Sequence, residues 1–295
     1  MLSILIPIYD YNILPLVSEL HKQCVENDID FEILCQDDNS NSDKNIENEK
    51  VNLLSFCSFI SLKTNIAHRE NRNQLALRAK YDCLLFIDGD SNILKDNYIK
   101  NYLKNIETFD VIYGGRLHPK KCPSKSQSLR WKYGKFIEDN LAEYRKKNKY
   151  KSLLFNNTLI KKSVFDKIKF DQKMKKYGHD DTQLSYGLSL LKAKILHIDN
   201  QIEHGDIDLN KAYLSKTKNS LENLLQLYTE KKINSDFVKL ISLYIILKKS
   251  KLRVLAKFFY ENLEKLIFKN LESDNPSLLV YNIFRIGYLC SLKPN

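Results

Sequence analysis

Glycine is scarce in this chain, with 8 among 295 residues. No G-x-G-x-x-G follows the first strand-like segment, so a dinucleotide-binding fold is disfavoured, as is a P-loop. Long apolar runs are missing too: no stretch approaches the roughly 18 residues that cross a bilayer. The opening Leu2-Ser3-Ile4-Leu5-Ile6 lacks the basic flank of a secretory leader and is expected to be a strand of the mature fold. The cysteines (Cys24, Cys35, Cys57, Cys83, Cys122 and Cys290) include no C-x-x-C pair, which points away from zinc and disulfides and toward reduced, buried thiols in a cytoplasmic protein. Arginine is also rare, at 8 of 47 basic residues, the rest being lysine. With abundant Asn and Ile, that bias is what an AT-rich genome gives whatever the function, so the net charge of +11 identifies no partner by itself. Its placement says more: 19 basic and 5 acidic residues lie between Arg116 and Lys176. Such a segment attracts an anionic ligand or bilayer, or is simply a solvated face.

What is present is an ordinary globular composition, 43% hydrophobic and 28% charged. Strand candidates at Leu2–Ile8, Phe31–Cys35, Phe59–Leu62, Cys83–Ile87 and Val111–Tyr113 alternate with helical segments at Leu14–Val25, Ala67–Ala79 and Asp96–Ile106. That alternation predicts a mostly parallel sheet with helices on both faces. From Arg116 to Lys151 the pattern weakens to one helix near Leu129–Tyr144, and a flexible insertion is expected. Further strands at Phe155–Thr158 and Ile195–Ile198 flank a helix at Thr182–Leu191. From about Asp206 only helices are expected: Leu214–Tyr228, Asp236–Lys248, Leu252–Phe268 and Ser277–Leu289, with apolar residues at helical spacing and lysines opposite.

The most informative residues are Leu85-Phe86-Ile87-Asp88-Gly89-Asp90. A run of this length reads as a fully buried parallel strand. It ends in two carboxylates two positions apart, which repel unless a cation lies between them. Hard oxygen ligands suit Mn²⁺ or Mg²⁺, ions that commonly also hold phosphates. The bland alternative is a D-x-D tripeptide in a surface turn.

The order of motifs resembles glycosyltransferase family 2. Ser3-Ile4-Leu5-Ile6-Pro7-Ile8-Tyr9 is similar to its opening strand, and Glu32-Ile33-Leu34-Cys35-Gln36-Asp37-Asp38-Asn39-Ser40 to its "EIIVVDDGS". Asn65, Arg72, Asn73 and Ala79 fit the "N-x-G...ARN...A" helix ahead of the D-x-D strand. Asn156-Asn157 and Gly178-His179-Asp180-Asp181 look like the acceptor-side asparagine and the "G-x-E-D" motif. The match runs from about Leu2 to Asp206. It departs from the pattern at Asn39, at Ile66 or Ala67, where glycines are expected, and at Asp180, where the family has Glu.

The resemblance implies a GT-A fold, a Rossmann-like α/β architecture with a mostly parallel central sheet, helices on both faces and a C-terminal all-helical extension. Residues 1–110 would bind the nucleotide sugar, 111–205 the acceptor, and 206–295 would form the extension. Pro7, Tyr9, Asp38, Asp88 and Arg72 or Arg69 would hold the nucleotide, with Asp37 fixing the loop. Asp90 and Asp88, joined by His204, would bind Mn²⁺ or Mg²⁺. Gly115, Arg116, Asn156 and Asn157 would line the donor or acceptor pocket. Asp181 would be the base of an inverting reaction and Asp180 a ligand of a sugar hydroxyl, or the reverse. The expected enzyme is a hexosyl- or N-acetylhexosaminyl-transferase using a nucleotide-sugar donor, UDP in the first instance, and a glycan or lipid-linked acceptor. It would serve polysaccharide biosynthesis in the cytoplasm or, as a peripheral protein, at the anionic inner face of the cell membrane. The rivals are a noncatalytic binder of glycan or anionic lipid that kept the fold and a sugar-phosphate nucleotidyltransferase. The latter needs a basic, glycine-rich loop where Pro7-Ile8-Tyr9-Asp10 stands. No nucleic-acid module is recognisable.

Overall fold

The computed structural model describes residues 1–174 and 176–293. A nearly continuous apolar run makes β1 (Leu2–Ile8) a buried strand, and α1 (Leu14–Glu26) starts at a proline that suits a helix's first turn. Val17, Leu20 and Cys24, at helical spacing on α1, join the core cluster built on β1 and β2 (Phe31–Asp37). There follow α2 (Lys44–Asn48), β3 (Cys57–Ser61), α3 (Ala67–Arg78), β4 (Cys83–Ile87), β5 (Ser91–Ile93), α4 (Tyr98–Leu103), β6 (Val111–Tyr113) and β7 (Arg116–Leu117). Next come α5 (Ser128–Tyr133), α6 (Ala142–Lys146), β8 (Asn157–Lys161), α7 (Lys162–Ile168), α8 (Asp180–Leu190), β9 (Ile195–His197) and β10 (Ile202–His204). The chain ends in α9 (Asn210–Thr229), α10 (Lys239–Lys249), α11 (Arg253–Leu271) and α12 (Leu278–Ser291).

The main sheet has the order β3-β2-β1-β4-β8-β6-β9 and is parallel except at β8, which runs against both β4 and β6. A small second sheet has the order β5-β10-β7. This is the mostly parallel α/β architecture expected, with the helical C-terminal region following it.

Two compact units result. The first comprises residues 1–117, 139–172 and 187–205; the second comprises 118–138, 173–186 and everything from Asp206 onward. Within the second, Leu129 packs with Leu214, Tyr260 and Phe284, and Met174 with Leu224, Tyr244 and Leu289. The C-terminal helices therefore share their cores with two earlier segments of the chain.

Three readings of the sequence are corrected. The segment expected to be a loose insertion with one helix at Leu129–Tyr144 is instead two short helices separated by a π-helical turn at Gly134–Glu138. The His118 ring lies where a side chain on residue 134 would project, so only glycine fits there. The strand expected at Phe155–Thr158 begins later, at Asn157, and the three strands of the small sheet were not foreseen. All six cysteines are unpaired; three are fully buried, and burial pushes the thiols of Cys24 and Cys57 up to about 12. Among the described residues, no helix is long and apolar enough to cross a membrane.

Candidate active site

Parallel register aligns the carboxyl ends of three strands, because Ile8 pairs with Asp37 and Leu5 with Phe86. At the end of β2, Asp37 is fully buried and holds the following loop: it accepts from Ser40 N (3.0 Å), Ser40 Oγ (2.6 Å), Asn45 Nδ2 (3.0 Å) and Ser61 Oγ (2.9 Å). Asp38 stands beside it, with its backbone N–H on Ile8 O (3.0 Å) and Oδ1 receiving the Ile66 N–H (2.7 Å). Burial raises its carboxyl above the ordinary range, partly offset by the Ile66 and Ala67 amides. Asn39 adopts φ +56 and Ala67 φ +67. A left-handed residue at 67 marks the place where the family pattern carries glycine.

Arg72 donates to Asp88 at 2.5 Å and stacks over Phe170 at 5.4 Å. Arg69, one turn earlier on α3, is buried. Gly89 packs so closely that an added Cβ would stand 3.3 Å from Pro7 O and 3.1 Å from Ile13 Cγ2, so any side chain there would need its neighbours to give. Tyr9, just beyond Pro7, is exposed. The chain then turns into β5, whose antiparallel pairing with β10 sets His204 opposite Ser91. His204 Nδ1 consequently lies 3.1 Å from Asp90 Oδ2. Burial pushes the Asp90 carboxyl upward, but the hydrogen bond and charge of His204, with the charge of Arg116, outweigh it and hold the group below the ordinary range. The other oxygen of Asp90 is buried without a hydrogen-bond partner among the described residues. Among the described residues no three His, Cys, Asp or Glu side chains gather as a metal cluster.

Asp180 and Asp181 occupy the first turn of α8, in the second unit, where the helix dipole favours carboxylates. Gly178 (φ +92) and His179 (φ +63) turn the chain into that helix, and Asn223 fastens the Gly178 carbonyl. His179 Nδ1 meets Thr182 Oγ1 at 2.9 Å; burial, reinforced by Arg285, lowers its pKa to about 4.

The family model for glycosyl transferase family 2 matches residues 3–169, more than half of the chain. The chain is a family 2 glycosyltransferase. No curated protein sequence matches it. Among solved structures, S. aureus TarS 1–349 in complex with UDP-GlcNAc is similar at 17% identity and TM-score 0.52, over 76% of this chain and 66% of that one. The complex of TarS 1–349 with UDP matches at 17% identity and TM-score 0.51, over 98% and 89%. The mannosyltransferase PcManGT from Pyrobaculum calidifontis, in complex with GDP-Man and Mn²⁺, matches at 12% and TM-score 0.52, over 77% and 64%. These likenesses show the GT-A type of fold, and in the first and third the matched part is just under two thirds of the solved chain.

The transferase treats its two adjacent asparagines differently. Asn157 is fully buried, and its amide donates to Gly115 O (2.7 Å) and Asn200 O (2.9 Å) while accepting from Tyr98 Oη (2.5 Å) and Tyr102 Oη (2.7 Å). Its side-chain donors and acceptors are thereby engaged within the fold. At Gly115 the backbone adopts φ +89, the Arg145 guanidinium packs against it and its carbonyl serves Asn157. Arg116 is within electrostatic reach of Asp90. Asn156 is also buried, its carbonyl accepting from Asp88 N at 3.3 Å, yet neither atom of its side-chain amide has a partner among the described residues. Sequence reasoning missed Phe170, which supports Arg72 from nearly a hundred residues away, and Arg145, which ties Gly114 O (3.2 Å) to Ile198 O (2.7 Å). Neither carries a local signal.

Proposed function

We propose that this glycosyltransferase moves a sugar from a nucleoside diphosphate, UDP by the likeness to TarS, to a hydroxyl of a glycan or lipid-linked acceptor, with inversion at the anomeric carbon. One observation carries the reading. Asp38 and the Arg72–Asp88 and Asp90–His204 pairs stand just beyond the carboxyl ends of β2 and β4, the two parallel neighbours of β1, where open α/β sheets bind ligands. Asp38 accepts from the base, and Tyr9 with Pro7 offers it an exposed surface. Arg72 orients Asp88 toward the ribose and brings positive charge to the diphosphate. Asn156 supplies an amide for a donor-sugar hydroxyl.

The donor set at Asp90 fits a divalent ion, since a buried carboxylate oxygen without a partner and an imidazole nitrogen near its twin are ligands for Mn²⁺ or Mg²⁺. When bound, the ion neutralises charge on the departing diphosphate. Asp90 and His204 would hold the ion, leaving the rest of its coordination to the substrate's phosphates and water. Asp181 takes the proton of the acceptor hydroxyl as its oxygen attacks, and Asp180 holds a sugar hydroxyl. The test is transfer and donor hydrolysis across UDP- and GDP-sugars with Mn²⁺. Asp90→Ala should abolish metal-dependent turnover, and Asp181→Asn should cut it by roughly 10² to 10⁴ while sparing nucleotide binding. Full activity in Asp90→Ala removes the metal assignment, and near-normal turnover in Asp181→Asn removes the base. UDP binding without turnover of any donor would favour a noncatalytic binder.

A further inference from the structure

Helix α11 is apolar on the wrong side. Its buried stripe, Tyr260, Ile267 and Leu271, packs with Tyr281 and Phe284 of α12. At 100° per residue the rest of the helix surface carries Val254, Leu255, Phe258, Phe259, Leu263 and Leu266, every one exposed, with Glu261, Asn262, Lys265 and Lys269 set among them; Val254 is 72% and Phe258 57% open to solvent. A surface helix normally turns charged residues to water on that surface, and two adjacent exposed phenylalanines pay no structural role there. Just before this helix, the turn from α10 exposes Lys248, Lys249 and Lys251. Residues 246–271 contain seven basic and two acidic residues.

We infer that this face docks on an anionic lipid bilayer, with the apolar residues at the acyl boundary and the lysines among the headgroups. Charge selects this occupant. A second copy would set the same basic excess, seven basic against two acidic residues over 246–271, against itself, whereas an anionic surface satisfies both the apolar residues and the lysines. The proposal is independent of the sugar-transfer reading, because binding is measured without donor.

The experiment is co-sedimentation of the full chain with extruded vesicles of phosphatidylcholine alone or with 30% phosphatidylglycerol, at low and high salt. The intact protein should pellet with the anionic vesicles, less so at high salt, and hardly with phosphatidylcholine alone. Phe258→Ser with Phe259→Ser should weaken that partition at least tenfold without lowering the melting temperature, since both rings are exposed. Lys248→Glu with Lys249→Glu and Lys251→Glu should remove the preference for anionic lipid. Protein that stays in the supernatant, or variants that bind as well as the parent, overturn the proposal. So does a concentration-dependent dimer in sedimentation velocity that the phenylalanine substitutions dissolve, which would give the face to a second copy.

Discussion

Single residues in the candidate site divide into those spent on the fold and those left for chemistry. Asn157→Ala strands two carbonyls and two tyrosine hydroxyls in the core, and should cost about 2–4 kcal/mol in denaturant unfolding. Asn156→Ala removes an amide without partners and should leave stability within about 0.5 kcal/mol of the parent while raising the donor KM. The sequence placed both side by side without a signal to separate them, because the difference lies in Tyr98, Tyr102, Gly115 and Asn200, all distant in the chain. Ala67 holds a left-handed φ that costs an L side chain about 1 kcal/mol, so Ala67→Gly should stabilise by roughly 0.5–1 kcal/mol. Acid sensitivity is also set by single residues. His197 accepts from Arg145 Nε (3.4 Å) at Nδ1, which leaves Nε2 to donate to Lys149 O (2.8 Å). Burial chiefly, with the Arg145 charge, lowers its pKa to about 4, as burial does for His179. Between pH 6.5 and 4 the unfolded chain therefore binds more protons at these rings than the folded one. Their contribution is complete above pH 6.5 and is lost as pH falls toward 4, on the order of 3 kcal/mol for each ring. Melting temperature against pH should show that slope, and His197→Gln should flatten it.

Elements were legible in proportion to their length and apolar content. β1, β4 and β6 matched their expected bounds because each is a buried run with no competing period. β5, β7 and β10 were invisible because strands of two or three residues exist only through their partners. Yet β10 is what brings His204 to Asp90, so the most consequential strand for the proposed metal site was the least readable one. Glu203→Pro, opposite Asn92 in that pairing, should loosen the approach of His204 and weaken Mn²⁺ binding about 10- to 100-fold in calorimetry, with little change in UDP affinity.

At the scale of the whole molecule, the helices beyond Asp206 looked like an extension, and the packing makes them half of a core. A chain truncated after Gly205 would expose Leu129 and Met174, whose neighbours would be gone; it should bind a hydrophobic dye and elute as aggregate in gel filtration. Local periodicity shows that such helices are amphipathic but not which earlier segments they cover. The sheet order carries a related lesson about synthesis. β4 has β8 as its outer neighbour, and β6 pairs only with β8 and β9, all supplied later in the chain. A nascent chain can therefore assemble β1 to β4, then waits for about seventy further residues before the open edge of β4 is closed. During that wait the strand that leads into Asp88 and Asp90 is an unguarded edge, the place where a slowly translated or chaperone-deprived chain would pair with its neighbour instead of with itself.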